Sequence, residues 1–411
     1  MAADSVVMKG SLPIERPRPP SSLRGFTLVE ILVAMAVMLI VIFVLFQVIA
    51  SMTNIWHNST GTISNFQASR SAFTVINREL SRATLKTYLD YINDPTKNNI
   101  PFGQFRTSLN AAQQQSFVPY EFARASELHF VSGPATQIIP SGTKAANNPG
   151  DAVFFQAPLG MVGGVNASSD KYLQRTLNDV GFYIQYSDLA STAFPDWLST
   201  SFAGSPHYCY RLVECVEPTE SLSVYGYTST GSYSPVTWIP PASVATFPVA
   251  GTTYNESVLA EDVILLLFRP RLEAEDEQVV APKVGVTYNS ATQNSIISPN
   301  YVYDSRAWQT GYSFTASNVK TTSYAVYMRN QLPPIVDVAM VCVDPNSLVR
   351  LQISSQTTPP AVLQPTSGLF VNSANMDADL ATFGQQLAAS HIHYRIFRSS
   401  VQIQAAAWSN E

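Results

Sequence analysis

Arg24-Gly25-Phe26-Thr27-Leu28-Val29-Glu30, continued by the run Ile31–Ala50, decides how this chain is organised. Between Phe26 and Ala50 the only charged residue is Glu30, and apart from Thr27 and Gln47 every other position is apolar or small. A run of about 18 or more apolar residues is long enough to cross the core of a bilayer as a helix. An ionised carboxylate near the start of such a helix is costly when unpaired. Glu30 therefore calls for a positive partner at the same depth, most simply on a neighbouring copy of the helix.

Upstream, residues 1–25 contain Pro13, Pro17, Pro19 and Pro20 and show no apolar period, which predicts a disordered leader. The leader carries Lys9, Arg16, Arg18 and Arg24 against Asp4 and Glu15, net +2, which leaves −7 of the chain's −5 for the remainder. Positive charge before the helix and negative charge after it predicts a cytoplasmic leader with the bulk of the protein outside. Downstream there is no proline before residue 90 and a single glycine, Gly61. Ile55, Phe66, Phe73, Ile76, Leu80 and Ala83 keep one helical face, opposite Arg70, Asn77, Arg78, Arg82 and Lys86. The expectation is one long helix, membrane-embedded over 26–50 and amphipathic over 51–90. Asn58-Ser59-Thr60-Gly61 marks a place for a break or bend.

The Arg24-Gly25 / Phe26-Thr27-Leu28-Val29-Glu30 stretch resembles the processing site of type IV prepilins and type II secretion pseudopilins: a basic leader ending in Gly, then Phe, then Glu at the fifth mature position, then an apolar helix. The resemblance implies cleavage by a prepilin peptidase between Gly25 and Phe26 and N-methylation of Phe26. It also implies that Glu30 neutralises the new amine during assembly with other minor and major pilins or pseudopilins. Leu332-Pro333-Pro334-Ile335-Val336-Asp337-Val338 resembles the strand near the end of J-type minor pseudopilins, and the strand Leu259–Phe268 and the helix segment Phe73–Ala83 also fit that family. The ending His393-Tyr394-Arg395-Ile396-Phe397-Arg398…Ala406-Ala407-Trp408 resembles Verru_Chthon cassette protein C more closely. The J-type likeness implies a tip or initiation role. The chain is longer than ordinary J-type pseudopilins, which implies insertions around 95–255.

The rest of the chain reads as a β-rich extracytoplasmic domain over 91–411. Charged residues are 13% of 411, with Ser, Thr, Asn, Gln and Tyr in their place. Strands are expected at Ala152–Ala157, Val180–Tyr186, Tyr208–Val216, Leu259–Pro270, Leu332–Asp344 and His391–Gln404, with a short helix at Asp377–Ser390. Tyr324–Met328 reads as a short helix or strand. Arg271–Gln278, with Glu273, Glu275, Asp276 and Glu277, reads as a solvated loop or an oxygen-rich calcium cluster. Cys342 reads as a buried free thiol. Cys209 and Cys215 form a disulfide only if a turn separates them, because six residues of strand hold them too far apart. His391 and His393 would share one face of the last strand, without a third metal ligand.

No nucleophile elbow, zinc-protease helix, phosphate loop or dinucleotide fingerprint is present, and Gly142-Thr143-Lys144 lacks the upstream glycine of a phosphate loop. No catalytic residue, metal or cofactor is expected. The acidic body argues against a nucleic-acid partner. The expected fold is α+β, a long N-terminal helix packed on a β-rich pilin-like domain with large loop insertions. The expected place is the inner membrane, single-pass, with the C-terminal domain in the periplasm or outside, incorporated in a pilus or pseudopilus. The alternative is a membrane-anchored surface binding module, an adhesin or glycan binder using Tyr225, Tyr227, Tyr233 and Trp238.

Overall fold

The computed structural model describes residues 27–94, 96–99, 106, 109–139, 149–162, 175–188, 208–225, 238–239, 255–283, 295–306 and 325–408. The chain divides into two compact units, Met1–Asn58 and Ser59–Glu411. Helix α1 (Leu28–Leu80) contributes to both, and its backbone stays helical through Asn58–Gly61, so the break expected there is not present.

In the first unit, Leu28–Thr53 is 26 residues long and apolar enough to cross a membrane. At about 1.5 Å per residue it extends about 39 Å, more than the ~30 Å hydrocarbon core. Its apolar side chains are exposed, Leu32, Met38 and Phe46 among them. A helix apolar on every side needs an apolar surrounding, which water does not provide.

In the second unit, the remainder of α1 buries Ala72, Phe73, Ile76 and Leu80, with Ala83 and Leu85 just beyond its end. The 72-76-80 spacing keeps these on one face. The Phe73 ring centroid lies 5.8 Å from that of Phe397. Ile63, by contrast, is exposed, and the apolar seam starts only near Phe66, half-buried beneath the Arg395 guanidinium. The helix also stops earlier than its composition suggests. Ser81 Oγ donates to the Arg78 carbonyl, the turn tightens through Ala83 N–H to Leu80 O, and Thr84 N–H pairs with Gln156 O. Residues 88–90, the end of the expected helix, instead open the strand β1 (Tyr88–Asn93), paired antiparallel with β2 (Pro119–Ala125) in a two-stranded ribbon.

The core is two antiparallel sheets. The larger has the order β7-β6-β5-β4-β3-β9. Its members are β3 (Val131–Pro134), β4 (Asp151–Ala157), β5 (Asn178–Asp188), β6 (Tyr208–Glu217), β7 (Asn255–Glu261) and β9 (Tyr303–Asp304). The smaller, β11-β10-β8, comprises β8 (Val263–Arg271), β10 (Ile335–Val343) and β11 (Tyr394–Gln402). β8 lies against β3, β4, β5 and β6, so it crosses the larger sheet and seals its inner face. Every residue of β4, and of β8 up to Pro270, is buried. That explains their unbroken apolar runs, since a strand covered on both faces has no polar side to show. The region 95–255 therefore supplies β2–β6 and much of the core, beyond peripheral insertion.

Leu259–Pro270, read as one strand, is two. Asp262, at φ 60°, turns the chain from β7 in one sheet to β8 in the other. Asp tolerates the left-handed region better than most residues. Two glycines allow close approaches. Gly181 pairs across strands with Phe154, whose ring fills the space that a side chain at 181 would take. Gly150, at φ 76°, brings the start of β4 so near β8 that a Cβ would sit 2.7 Å from Leu266 O.

Arg271–Gln278 is not a loop: Ala274–Lys283 is a helix, with Glu275, Asp276 and Glu277 in its first turn, where carboxylates complement the helix dipole. Tyr324–Met328 contains the helical turn Ala325–Met328. The short helix near the end spans Met376–Ala389, with Asp377 and Asp379 in its first turn.

Candidate functional site

The N-terminus of α1 is built by a reciprocal cap. Glu30 Oε2 accepts from Thr27 N–H and from Thr27 Oγ1, each at 3.0 Å, and Thr27 Oγ1 accepts from Glu30 N–H at 3.3 Å. This is a capping box, Thr-x-x-Glu, which satisfies backbone donors that the first helical turn would leave unpaired. The motif is legible in the sequence, where Glu30 was read only through its charge. Glu30 thus has a local role in the single chain, and its carboxylate sits at the N-terminal end of the Leu28–Thr53 span. Gly25 and Phe26 lie outside the described residues, as do residues 1–25 as a whole.

Among the described residues the body offers no second site of the kinds considered. Cys209 and Cys215 are free and stand on the one uninterrupted strand β6. Six residues of strand separate their Cα atoms by about 20 Å, beyond the ~7 Å limit for a bridge. The turn that a disulfide needs is absent. Cys209 Sγ accepts from Arg211 Nε at 3.2 Å, and burial raises its thiol above the ordinary value. Cys342 is buried and free, accepts from Ser69 Oγ at 2.9 Å, and is pushed up to about 12 by burial. Thiols held protonated are poor nucleophiles.

Among the described residues no group of three or more His, Cys, Asp or Glu could hold a metal ion. His391 and His393 precede β11 instead of sharing a face of it. His391 lies in the left-handed turn after the Met376–Ala389 helix, and His393 bonds through its backbone to Asp344 and Ser347. His129 is fully buried. Trp238 Nε1–H donates to its Nδ1 at 3.1 Å, which leaves the ring proton on Nε2, 2.8 Å from Asp304 Oδ1. Both ring nitrogens are committed, so this His–Asp pair ties β9 to the core and cannot work on an outside substrate. His207 lies outside the described residues.

Of the aromatics singled out for sugar stacking, Trp238 is buried, Tyr225 is 40% exposed, and Tyr227 and Tyr233 lie outside the described residues. A different set stands out on the β1–β2 ribbon. Tyr91 and Phe122 are a register pair with ring centroids 4.1 Å apart, flanked by exposed Leu89 and Tyr120. Neighbouring Ile92 and Ala125 form the ribbon's own small buried cluster.

The second unit meets α1 through a polar seam that apolar periodicity alone does not reveal. Thr62 Oγ1 donates to Asp344 Oδ1 at 2.5 Å, and Asn65 Nδ2 donates to Asp262 Oδ2 at 3.0 Å and to Val343 O at 3.2 Å. Burial, reinforced by Glu261 and Asp344 and opposed by the Asn65 bond, raises Asp262 to about 7.

With this geometry in view, comparison with family models finds the prokaryotic N-terminal methylation motif over residues 21–46. Comparison with curated proteins finds no match, and neither does comparison with solved structures. The motif and the apolar helix that it covers support a type IV pilin-like subunit, processed by prepilin peptidase and carried on a single membrane pass.

Proposed function

We propose that the chain is a structural minor pilin or pseudopilin. It is cut by prepilin peptidase between Gly25 and Phe26, methylated on the new Phe26 amine, and assembled through its N-terminal helix into a pilus or type II secretion-like pseudopilus. The observation that carries the reading is the fully exposed apolar helix Leu28–Thr53 with one carboxylate, Glu30, in its first turn, inside the matched motif. An isolated chain holds that carboxylate with Thr27. Cleavage creates an amine four residues before Glu30, and pairing the two within or between subunits removes the cost of a buried charge. The leader remains cytoplasmic, the second unit lies in the periplasm or beyond, and the partners are the peptidase and other minor and major pilins. A tip or initiation role rests on the likeness of Leu332–Val338 to J-type minor pseudopilins. The test is the mass of the mature protein from cells that contain a prepilin peptidase. A methylated N-terminal Phe26 is expected, and an intact leader overturns the reading.

A second reading, a membrane-anchored surface module that binds glycans, is favoured by the exposed Tyr91–Phe122 ring pair, since flat aromatic faces suit sugar rings. Glycan-array binding by the purified full chain, lost in Phe122→Ala, distinguishes it from a purely structural role.

A further inference from the structure

Two features of opposite charge stand on the second unit. The first is a row of cations along the exposed side of α1. Arg70, Thr74 and Arg78 follow one another at one-turn spacing, about 6 Å apart along the axis. Arg82 and Lys86 extend the series past the helix end at Leu80. Arg395 joins it from β11, its guanidinium 5.2 Å above the ring of Phe66, one turn before Arg70. All five cations are exposed. Arg78 pairs with Glu79, but among the described residues Arg70, Arg82, Lys86 and Arg395 take part in no ion pair. Residues 66–86 thus hold four cations against the single acid Glu79, in a chain whose net charge is −5.

The second feature is the acidic start of the Ala274–Lys283 helix, where Glu273-Ala274-Glu275-Asp276-Glu277 places four carboxyl groups in five residues. Glu277 is buried, whereas Glu273 and Glu275 are exposed and, among the described residues, also outside any ion pair. Glu275 shares a helix face with Val279, an apolar side chain that is 47% exposed. The fold brings both features to one end of the three-stranded sheet. Gln404 N–H, just past β11, donates to Ser81 O at the end of α1. Gln402 on β11 is the register partner of Ile335 on β10, and Ile335 that of Arg271, from which β8 leads into the acidic helix. Two strand spacings, about 10 Å, separate β11 from β8.

We propose that this end of the second unit is a self-complementary docking surface for a second copy of the chain: the α1 cations of each copy meet Glu273 and Glu275 of the other about a two-fold axis. A two-fold contact makes each pairing twice, so a surface with both signs side by side complements itself. Guanidinium forks match carboxylates, and opposed charges fix the register of a contact while like charges reject a wrong one. The acidic balance of the chain favours this occupant over an anionic lipid surface or a polyanion, which the rest of the chain repels. The contact requires neither leader cleavage nor another pilin, so its failure leaves the pilin reading untouched.

The test is analytical ultracentrifugation of the purified full chain in detergent micelles, without other pilins. Wild type is expected to dimerise, with a dissociation constant that rises at least about tenfold between about 0.05 and 0.5 M salt, because screening weakens exposed charge pairs. Arg70→Glu with Arg82→Glu, and separately Glu273→Lys with Glu275→Lys, are each expected to weaken self-association at least about tenfold, since each sets like charges against each other. The two double variants mixed together are expected to associate as wild type does, because both contacts of the mixed pair are again between opposite charges. The apolar Leu28–Thr53 helix is common to every variant, so association through it is unaffected by these changes. Dimerisation indifferent to salt overturns the proposal, as does either variant associating like wild type or a mixture that fails to recover. A wild-type monomer also overturns it, and binding of that monomer to phosphatidylglycerol vesicles, lost in Arg70→Glu with Arg82→Glu, would assign the cations to anionic lipid instead.

Discussion

Arg269 Nη2 lies 2.7 Å from Asp337 Oδ2, across a register pair between β8 and the middle strand of the three-stranded sheet. The same oxygen accepts from Arg269 Nε at 3.0 Å and Arg271 Nε at 2.9 Å, while Asp337 Oδ1 accepts from Ser400 Oγ on β11 at 2.6 Å. One buried carboxylate thus ties all three strands. Removing it leaves a buried guanidinium without its counter-charge. Asp337→Ala is expected to cost about 3–5 kcal/mol, the usual penalty for breaking a buried pair on one side. The midpoint of urea unfolding of the detergent-solubilised chain measures it, and a loss under about 1 kcal/mol would show that water replaces the carboxylate freely.

Glu30 has two roles that substitution separates. Glu30→Gln keeps the reciprocal cap with Thr27, because Gln serves at that position of a capping box, but it loses the charge. Glu30→Ala loses both. Both variants are expected to insert in the membrane and to enter filaments poorly. Filament incorporation by immunoblot reads the result, and normal entry of Glu30→Gln would assign the role to the cap alone.

Mass spectrometry of the oxidised protein is expected to show no loss of 2 Da per chain, since Cys209 and Cys215 lie about 20 Å apart on one strand. All three thiols are expected to alkylate after denaturation, and Cys342 hardly at all before it, because it is buried beneath Ser69.

Asp151 is buried at the start of β4 and accepts from Phe268 N–H at 3.0 Å. Burial raises it to about 7 in spite of that bond. Its folded value lies above the unfolded one, so its contribution is complete below about pH 4 and disappears as pH rises through 7. Unfolding midpoints at pH 5, 7 and 8.5 are expected to fall in that order, and the fall is expected to shrink in Asp151→Asn. An equal slope in the variant would place the dependence elsewhere.

Gly181→Ala is expected to destabilise by about 1–3 kcal/mol, the usual cost of overfilling a packed core, because the new methyl meets the Phe154 ring. Phe154→Leu in the same chain is expected to return part of that loss. Full additivity of the two changes in thermal unfolding would argue against the contact as the cause.

The apolar run from Phe26, the α+β class and the buried strands were all legible in the sequence, because long uninterrupted apolar segments report burial whatever the tertiary context. The end of α1 was not. The helical period runs past Leu80, but Thr84 is claimed by the β4 backbone and Tyr88–Asn93 by β2, partners far away in sequence. The corner at Asp262 was hidden for a similar reason, since one left-handed residue inside an apolar run leaves periodicity almost unchanged. Arg271–Gln278 reads as a solvated loop because its acidic residues suit water, when Glu275, Asp276 and Glu277 equally suit a helix's first turn. At the candidate site, Glu30 and its motif could be read directly, and the Thr27 cap was encoded but overlooked. The seam residues Thr62 and Asn65 could not be found from sequence, since their acceptors lie 282 and 197 positions away.

The chain turns from β7 in one sheet to β8 in the other at the single residue Asp262, and α1 is bonded to that residue and also to Asp344 at the end of β10. A tensile load carried along α1 therefore enters the second unit at its structural keystone and is divided at once between both sheets. Neither sheet has to bear the whole force, because it enters one through its edge strand β7 and the other through its edge strand β8 and the end of its middle strand β10.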